Sequence, residues 1–412
     1  MPSSPDRREL LGLLAATPLT AGALAATATA TAGAATAAPA RTGPAPAAVA
    51  AAAAGIVKPV PPELFTLRGT NAETVFSALR DTGPLTPADR FFVRNHTSTP
   101  RIGESDWKLT VWGSGLTGRR PVEFDYARLR SLPSVTRTAV IECAGNGRSL
   151  FTTQQGETVS GTSWTLGAIG AARWRGVRLR DVLHQAGLSS SAVDVMPSGL
   201  DDEFVTGGVN LGRVRRPLPV AKALDDVILA YEMNGEPLPY DHGYPVRVVV
   251  PSWIGIASVK WLGDIEVSDT PLASPWNTQF YRLFGAAHPP GGSAPLTRQT
   301  IKSAWELPFG ATLAAGETHT LTGRAWSAAA PVDAVEISTD GGRSWRRARP
   351  LDTPCRDGWV RWRADWRPDR TGPAELLARA TDRAGNRQPE RTVHNTQGYL
   401  FDAVVRHPVT VV

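Results

Sequence analysis

Cysteine is scarce in this chain, because Cys143 and Cys355 are the only two among its 412 residues. Two cysteines cannot form a disulfide framework, and a structural zinc site would lack the cysteine ligands that it needs. The seven histidines show no short H-x-x-x-H spacing, so they do not indicate a zinc hydrolase either. One disulfide between the two cysteines can be neither deduced nor excluded from their positions.

The chain also lacks the charge blocks and motifs of several common function classes. Its net charge is +6, but basic and acidic residues are interspersed, and no long basic block indicates nucleic-acid binding. We therefore expect no nucleic-acid partner, although the positive excess favours an anionic substrate. No P-loop, no G-x-G-x-x-G motif after a strand and no Ser/His/Asp order supports a kinase, dinucleotide-binding or hydrolase function.

Tryptophan content and overall hydrophobicity indicate a globular protein. Hydrophobic residues make up 42% and charged residues 20% of the chain, and its 13 tryptophans are spread from Trp107 to Trp366. Disordered chains do not carry so many large aromatic side chains. At about 100 to 200 residues per domain, the length predicts two or three domains.

The N-terminal part differs in composition from the rest. Arg7 and Arg8 precede an Ala/Thr-rich stretch with small-residue cleavage sites, a pattern typical of a twin-arginine export signal. Pro18 and the alanine–threonine content argue against a membrane span. We expect a signal peptide over residues 1–40, an Ala/Pro-rich linker over 41–62, and a protein exported already folded to the periplasm or the cell exterior. The alternative is a disordered tail or an uncleaved anchor.

Helix and strand patterns alternate between residues 63 and 290. Alternating apolar residues predict a strand over 107–113, and a short apolar run predicts another over 244–251. Amphipathic spacing predicts helices over 121–133 and 176–188, the second ended by its glycine. This mixture predicts an α+β domain.

After a Pro/Gly-rich connection, residues 291–412 carry only strand patterns. Residues 359–366 alternate apolar with polar side chains, so one face of that strand is expected to be buried. Asp340, Gly341 and Gly342 stand between two strand patterns and predict a hairpin. Several such strands predict an all-β, immunoglobulin-like sandwich.

The stretch VIECAGNGRS, residues 140–149, places Cys143 between an apolar strand pattern and a glycine-rich turn. Gly145 and Gly147 allow a tight turn, and the guanidinium of Arg148 would lower the pKa of a nearby thiol. Two interpretations remain open from the residues alone. The side chain is either a thiolate that acts as nucleophile or soft metal ligand, or a buried and inert cysteine.

Hydrogen-bonding side chains also follow two other strand patterns. Arg94, Asn95 and His96 follow one of them, and residues at such a strand end are more often structural than functional. His242, Arg247 and Lys260 lie beside glycine turns in the other, where such donors suit a bound phosphate but by spacing alone are equally compatible with surface charges.

Five stretches together resemble the sulfite oxidase family of molybdenum enzymes, in the family's order. They are FFVRNH, ECAGNGRS, GTSWTLGAIGAARWRGVRLRDVL, LAYEMNGEPLPYDHGYPVRVVVP and SVKWL. The resemblance covers about residues 60–410 and implies an α+β molybdopterin-binding oxidoreductase domain over 63–290. It further implies an immunoglobulin-like dimerisation domain over 291–412, a molybdenum–molybdopterin cofactor and a homodimer.

The resemblance also implies roles for individual residues. Cys143 would be the thiolate ligand of molybdenum, and this soft ligand suits a redox-active metal. The catalytic residues implied are Arg94, Arg148, Trp164 and Tyr281. The cofactor-binding residues implied are Phe92, Val93, Arg94, Asn95, His96, Cys143, Asp201, His242, Arg247, Ser258, Val259 and Lys260.

The implied activity is two-electron oxidation of sulfite to sulfate. The chain contains no C-x-x-C-H motif for covalent haem, so the electrons are expected to pass to a separate acceptor such as a c-type cytochrome. Two positions depart from the family: Gly147 replaces one of two adjacent arginines, and Gln397 stands where animal sulfite oxidases carry a third anion-binding arginine. The alternatives are therefore another substrate for the same cofactor (sulfane sulfur, an S-oxide or nitrate) or a non-catalytic exported binding module.

Overall fold

A computed structural model describes residues 55–412. The expected signal peptide and most of the expected linker lie outside the described residues. Within residues 55–412, no helix combines the length and the apolar character that a membrane crossing requires.

The first part of the described chain is a mixture of short helices and strands. Its strands are β1 (Phe65–Arg68), β2 (Asn71–Thr74), β3 (Lys108–Trp112), β4 (Val122–Asp125), β5 (Ser134–Glu142), β6 (Ile169–Arg178), β7 (Asp194–Gly199), β8 (Val205–Thr206), β9 (Val209–Asn210), β10 (Leu218–Pro219), β11 (Ile228–Met233), β12 (Glu236–Pro237), β13 (Arg247–Val249) and β14 (Leu262–Ser268). Its α-helices are α1 (Tyr126–Arg130), α2 (Arg148–Thr153), α3 (Leu179–Gln185), α4 (Val220–Asp225) and α5 (Pro275–Thr278). Its 3-10 turns are Phe76–Leu79, Ala88–Arg90, Tyr240–His242 and Gly255–Ala257.

Two five-stranded sheets organise this part. One has the order β10-β7-β14-β3-β4, and the other has the order β12-β11-β6-β5, with β13 paired to β11. The predicted strand over 107–113 is confirmed as β3, in which Leu109 and Val111 are buried, as is Trp107 directly before it. The second sheet matters most for the site, because β5 ends one residue before Cys143.

Both predicted helices begin later than expected. Residues 122–125 form β4, which pairs antiparallel with β3, and α1 begins only after Asp125, whose carboxylate accepts a hydrogen bond from the amide of Arg128. Residues 176–178 extend β6, which pairs with β11, and the helix begins at Leu179. Pairing with a neighbouring strand overrode local amphipathic spacing in both cases.

The second part contains only strands among its described elements. They are β15 (Lys302–Trp305), β16 (Ala311–Leu313), β17 (His319–Trp326), β18 (Val332–Ser338), β19 (Arg346–Arg347), β20 (Arg349–Pro350), β21 (Trp359–Trp366), β22 (Gly372–Asp382) and β23 (His407–Val411).

These strands form two sheets that enclose a common apolar core, as the predicted sandwich requires. The sheet orders are β15-β17-β21-β20 and β16-β23-β22-β18-β19. In β21 the side chains of Val360, Trp362 and Ala364 are buried in that core, which confirms the predicted alternation. The predicted hairpin is confirmed by the antiparallel pairing of β18 with β19.

The end of the expected linker is packed against the folded part. The backbone amides of Val57 and Lys58 donate hydrogen bonds to the carboxylate of Asp241, and Val60 is buried. An Ala/Pro-rich composition does not reveal such anchoring, because the partners are backbone amides and the acceptor lies far along the chain. The domain limits 63–290 and 291–412 remain predictions.

Candidate active site

One cleft gathers most of the site residues that the sequence predicts. It lies where the chain after the Ala88–Arg90 turn meets the end of β5, the Tyr240–His242 turn and the Gly255–Ala257 turn. The predicted residues that line it are Phe92, Arg94, Asn95, His96, Cys143, Asp201, His242, Arg247, Ser258, Val259, Lys260 and Tyr281.

Cys143 enters the cleft from the end of β5. The amide of Cys143 donates to the carbonyl of Ala168 (2.9 Å), and its own carbonyl accepts from the amide of Asn146 (2.9 Å). Gly147 follows in the left-handed region (φ 88°), which favours glycine, and α2 begins at the next residue. The backbone therefore makes a tight turn that presents a nearly buried thiol to the cleft.

Arg148 does not line the cleft, although the sequence predicts it as a catalytic residue. Its guanidinium donates to the backbone carbonyls of Gln397 (2.8 Å) and Thr162 (2.8 Å). It also lies over the ring of Tyr399, 5.2 Å from the ring centroid. The side chain is buried, and its Nε and Nη1 donate to the protein backbone.

Three glycines make room for this guanidinium and its stem. An ideal Cβ on Gly145 would lie 2.6 Å from Nη2 of Arg148, and one on Gly161 would lie 2.9 Å from Nη1. On Gly398 a Cβ would lie 2.7 Å from Cγ of the same arginine. Side-chain Cβ atoms do not approach other atoms so closely, so each of these positions needs glycine while Arg148 keeps this position.

Tyr281 presents its phenol to the cleft and stacks on Tyr399, with ring centroids 5.2 Å apart and planes at 10°. Its φ of 55° is strained for a residue with a side chain, and such strain is concentrated at functional sites. Burial raises the pKa of Tyr281, whereas the positive charge of Arg94 acts in the opposite direction. Among the described residues, no side chain or backbone group hydrogen-bonds to its hydroxyl, so this hydroxyl is available to a ligand.

Two further predicted residues lie outside the cleft. The Trp164 side chain is buried in the apolar cluster that also contains Cys143. Val93 is completely buried beside Ala72 and exchanges backbone hydrogen bonds with it. In this structure neither residue lines the cleft, although Phe92 and Arg94, on either side of Val93, do.

The cleft carries two basic side chains, of which Arg247 is buried and Lys260 is partly buried. Burial lowers the pKa of Arg247 to about 9, and its guanidinium is held by the carbonyls of His242 and Ser258, both at 2.9 Å. Burial also lowers the pKa of Lys260 well below its usual value, and the ammonium donates to the Asn95 side chain and to the carbonyl of Asp241 (2.8 Å). Both side chains are thus fixed before any ligand binds, as an anion site requires.

The two histidines of the cleft are neutral at pH 7. Burial, and then nearby positive charge, lowers the pKa of both His96 and His242 well below the usual value. The indole of Trp276 donates to Nε2 of His96 at 3.1 Å, so the proton of this neutral ring lies on Nδ1. His96 therefore offers one donor and no charge.

Sequence reasoning missed Lys58 and Asp241. The ammonium of Lys58 donates to the carbonyls of Ala88 (3.1 Å) and Phe91, and burial lowers the pKa of Lys58 to about 7. Nothing in the Ala/Pro-rich composition around Lys58 indicates this role, whereas Asp241 directly precedes the predicted His242. Asp241 lines the cleft and Lys58 does not; the remaining lining residues that were not predicted are Phe91, Ile141, Ala144, Val214, Gly255, Ile256 and Trp261.

Asp201 is the one predicted acid of the site, and it is incompletely paired. Its Oδ1 is buried and has no hydrogen-bond partner among the described residues. Burial raises the pKa of Asp201 to about 6. A buried acceptor without a partner is costly, so this oxygen is suited to a donor on a bound ligand.

Two family models match most of the described chain. Residues 96–276 match the oxidoreductase molybdopterin binding domain, and residues 306–411 match the Mo-co oxidoreductase dimerisation domain. Mouse mitochondrial sulfite oxidase is 36% identical over 84% of this chain and 65% of its own length. Chicken sulfite oxidase is 36% identical over 77% of this chain and 72% of its own length.

Two relatives of lower sequence identity are named for other activities. Barley nitrate reductase [NAD(P)H] is 32% identical over 85% of this chain and 42% of its own length. The solved structure of the sulfane dehydrogenase SoxCD from Paracoccus pantotrophus matches with a TM-score of 0.69 and 27% identity, over 82% of this chain and 83% of that one. The chain spans less than two thirds of the length of the mouse (65%) and human (60%) sulfite oxidases.

Proposed function

Because this chain belongs to the sulfite oxidase family of molybdopterin-dependent oxidoreductases, we propose that it oxidises sulfite to sulfate and passes the two electrons to a separate carrier. The observation that supports this most is the Cys143 thiol in a cleft whose other lining includes the basic side chains of Arg247 and Lys260. A thiolate and fixed cations are the protein groups that a soft metal and an anionic ligand need.

The residues present fit a molybdenum ion carried by molybdopterin. Residues 55–412 contain no group of three or more His, Cys, Asp and Glu side chains that could hold a metal by themselves. A metal beside Cys143 therefore needs most of its ligands from a bound organic group. When bound, the cofactor accepts the two electrons that the substrate loses.

Each end of the cleft has residues for one part of this cofactor. Arg247 and Lys260 would bind the phosphate, with the neutral His242 as an additional donor or acceptor. The unpaired oxygen of Asp201 would accept a hydrogen bond from an N–H of the pterin. Cys143 would supply one sulfur ligand to the metal.

The substrate end would be formed by Arg94 and Tyr281. Arg94 lines the cleft, and one of its terminal nitrogens lies 3.0 Å from Nε2 of His96, which fixes the direction of the guanidinium. The remaining N–H groups of Arg94 would hold an oxyanion, and the unpaired hydroxyl of Tyr281 would donate a second hydrogen bond to it. Their task is to bind and orient sulfite while the electrons leave.

The test is turnover by the full chain purified from cells supplied with molybdate. We expect about one molybdenum per chain and sulfite-dependent reduction of cytochrome c or ferricyanide. Cys143→Ala should lose both metal and activity, and Cys355→Ala is the matched control, because it makes the same change at an exposed cysteine. Metal-loaded protein that leaves sulfite unchanged would reject the substrate, and protein without metal would favour the non-catalytic alternative.

One observation favours a second candidate substrate. Gln397 stands where the resemblance places an arginine, and Nε and Nη1 of Arg148 are used by backbone carbonyls, so the substrate end offers one positive charge less and fewer free N–H donors than three arginines would. A less charged substrate, such as sulfane sulfur, an S-oxide or nitrate, suits such a site better than a dianion. Values of kcat/KM for sulfite, a peptide-bound cysteine persulfide, dimethyl sulfoxide and nitrate, measured side by side, decide between the candidates.

Export, dimerisation and the electron acceptor complete the proposal. The twin-arginine pattern supports export, and the match to the dimerisation domain supports a homodimer. A c-type cytochrome or another carrier outside the cytoplasm would then take the electrons. Cell fractionation with N-terminal sequencing tests the export, and light scattering of the purified protein tests the dimer.

A further inference from the structure

A buried ion pair joins the Cys143 turn to the second part of the chain. Nζ of Lys302, at the start of β15, lies 2.7 Å from Oε1 of Glu142, the last residue of β5. The side chains are 6% and 3% exposed, so water does not weaken their attraction. Glu142 is the immediate neighbour of Cys143.

The same two side chains also hold the far end of the turn. Oε1 of Glu142 accepts a hydrogen bond from the Asn146 side chain (3.0 Å), and Lys302 donates to the backbone carbonyl of Asn146 (3.1 Å). The indole of Trp326, in β17, donates to Oε2 of Glu142 (3.0 Å). Both ends of the stretch from Glu142 to Asn146 are therefore fixed by side chains of the all-β part.

Burying such a pair is costly, because two charges must leave water. A well-packed apolar pair is often at least as stable, so stability alone does not explain why a lysine and a glutamate meet here. Their contacts instead specify one backbone path between Glu142 and Asn146. Cys143 lies on that path, and its thiol direction depends on it.

We propose that Lys302 is a positioning residue for Cys143. It acts through Glu142 and Asn146, and it holds the turn so that the thiol points into the cleft. The proposal rests on the proposed function, in which that thiol binds the metal. It gives the C-terminal domain a part in building the site, in addition to the dimerisation for which its family is named.

The test measures the freedom of the Cys143 thiol in the full chain made without molybdate. The rate of iodoacetamide alkylation at Cys143 is compared with that at exposed Cys355 in the same sample, by mass spectrometry of peptides. In Lys302→Met we expect the ratio of the two rates to rise about tenfold, because local opening exposes the thiol. Lys222→Met is the matched control, since Lys222 forms an ion pair with Asp226 (2.6 Å) away from the cleft.

A ratio in Lys302→Met equal to that of the unmodified chain would overturn the proposal. If that variant does not fold, Lys302→Gln takes its place, because a neutral amide at this position also removes the ion pair with Glu142; an unchanged ratio there would overturn the proposal equally. In the metal-loaded enzyme, kcat should fall while KM for sulfite stays the same, because the substrate-binding residues are untouched. A chain that never binds molybdenum would reject the proposed function, whereas the alkylation ratio would still decide the role of Lys302.

Discussion

The guanidinium of Arg148 lies over the ring of Tyr399, 5.2 Å from the ring centroid. Tyr399 in turn stacks on Tyr281, which faces the cleft. The stack therefore supports Tyr281, whose backbone is strained, and it ends on the buried Arg148. Arg148 in turn holds two separate segments of the chain through the carbonyls of Thr162 and Gln397.

Arg148→Lys should destabilise the protein although the substitution keeps the positive charge. A lysine ammonium cannot bind two carbonyls with a planar fork and cover an aromatic face at the same time. We expect the free energy of unfolding to fall by about 2 kcal/mol, the cost of one lost charged hydrogen bond and a small void. Denaturant unfolding measures it, with Arg370→Lys, at an exposed arginine, as the control. Equal midpoints for the two variants would contradict the structural role of Arg148.

Gly398→Ala tests the space around the same arginine. Gly398 has φ 58°, and a Cβ there would lie 2.7 Å from Cγ of Arg148 and 2.9 Å from Cγ2 of Val159. Gly310 also has positive φ (76°), but nothing lies within 4 Å of its Cβ position. We expect Gly310→Ala to cost about 1 kcal/mol from backbone strain and Gly398→Ala about 1 to 3 kcal/mol more from overpacking. Similar unfolding midpoints for both would show that the arginine moves aside freely.

Local sequence patterns predicted those features that depend on local geometry. Strict alternation was sufficient for β3 and β21, since a strand with one buried face needs it. The starts of α1 and α3 were wrong because the preceding residues pair with distant strands, which local spacing does not report. Most of the cleft was predictable from motif resemblance, because most of its lining residues lie in the quoted stretches.

The unpredicted parts of the site depend on long-range contacts. Lys58 reaches the carbonyl of Ala88, and its backbone is held by Asp241, far along the chain. Lys302 reaches Glu142 across the two parts of the fold. No periodicity or motif connects such positions, so only the folded structure reveals them.

Asp201 predicts a dependence of stability on pH in the cofactor-free chain. Burial raises the pKa of Asp201 from 3.8 to about 6, so the folded state binds this proton more tightly than the unfolded state does. The protonated carboxyl stabilises the fold fully below about pH 4, and this contribution is lost as the pH rises through about 6. Two units of pKa correspond to about 3 kcal/mol.

Asp201→Asn should remove that dependence. In the unmodified chain the free energy of unfolding should decrease between about pH 4 and pH 7. In Asp201→Asn this decrease should be smaller by up to about 3 kcal/mol. Urea unfolding at a series of pH values measures it, and Asp202→Asn, at the exposed neighbour, is the control. Parallel curves for the unmodified chain and Asp201→Asn would mean that Asp201 is not protonated more readily in the folded state.

Tyr281 and Tyr399 allow the proposed substrate contact to be separated from the stacking that supports it. Tyr281 lines the cleft and its hydroxyl has no partner among the described residues, whereas Tyr399 lies on the far side of the stack, against Arg148. Phenylalanine keeps both rings and removes one hydroxyl. Tyr281→Phe should therefore lower kcat/KM for sulfite about tenfold, the worth of one hydrogen bond to a charged group, while Tyr399→Phe should change it less than about threefold.

The two variants should have the same melting temperature and the same molybdenum content, because neither hydroxyl holds the fold or the cofactor in this structure. Steady-state kinetics with saturating ferricyanide measures the effect on turnover. Equal losses in both variants would assign the effect to the stack, and no loss in Tyr281→Phe would remove its hydroxyl from the proposed oxyanion site. In that second case the N–H groups of Arg94 would have to orient the substrate without a second donor from the tyrosine.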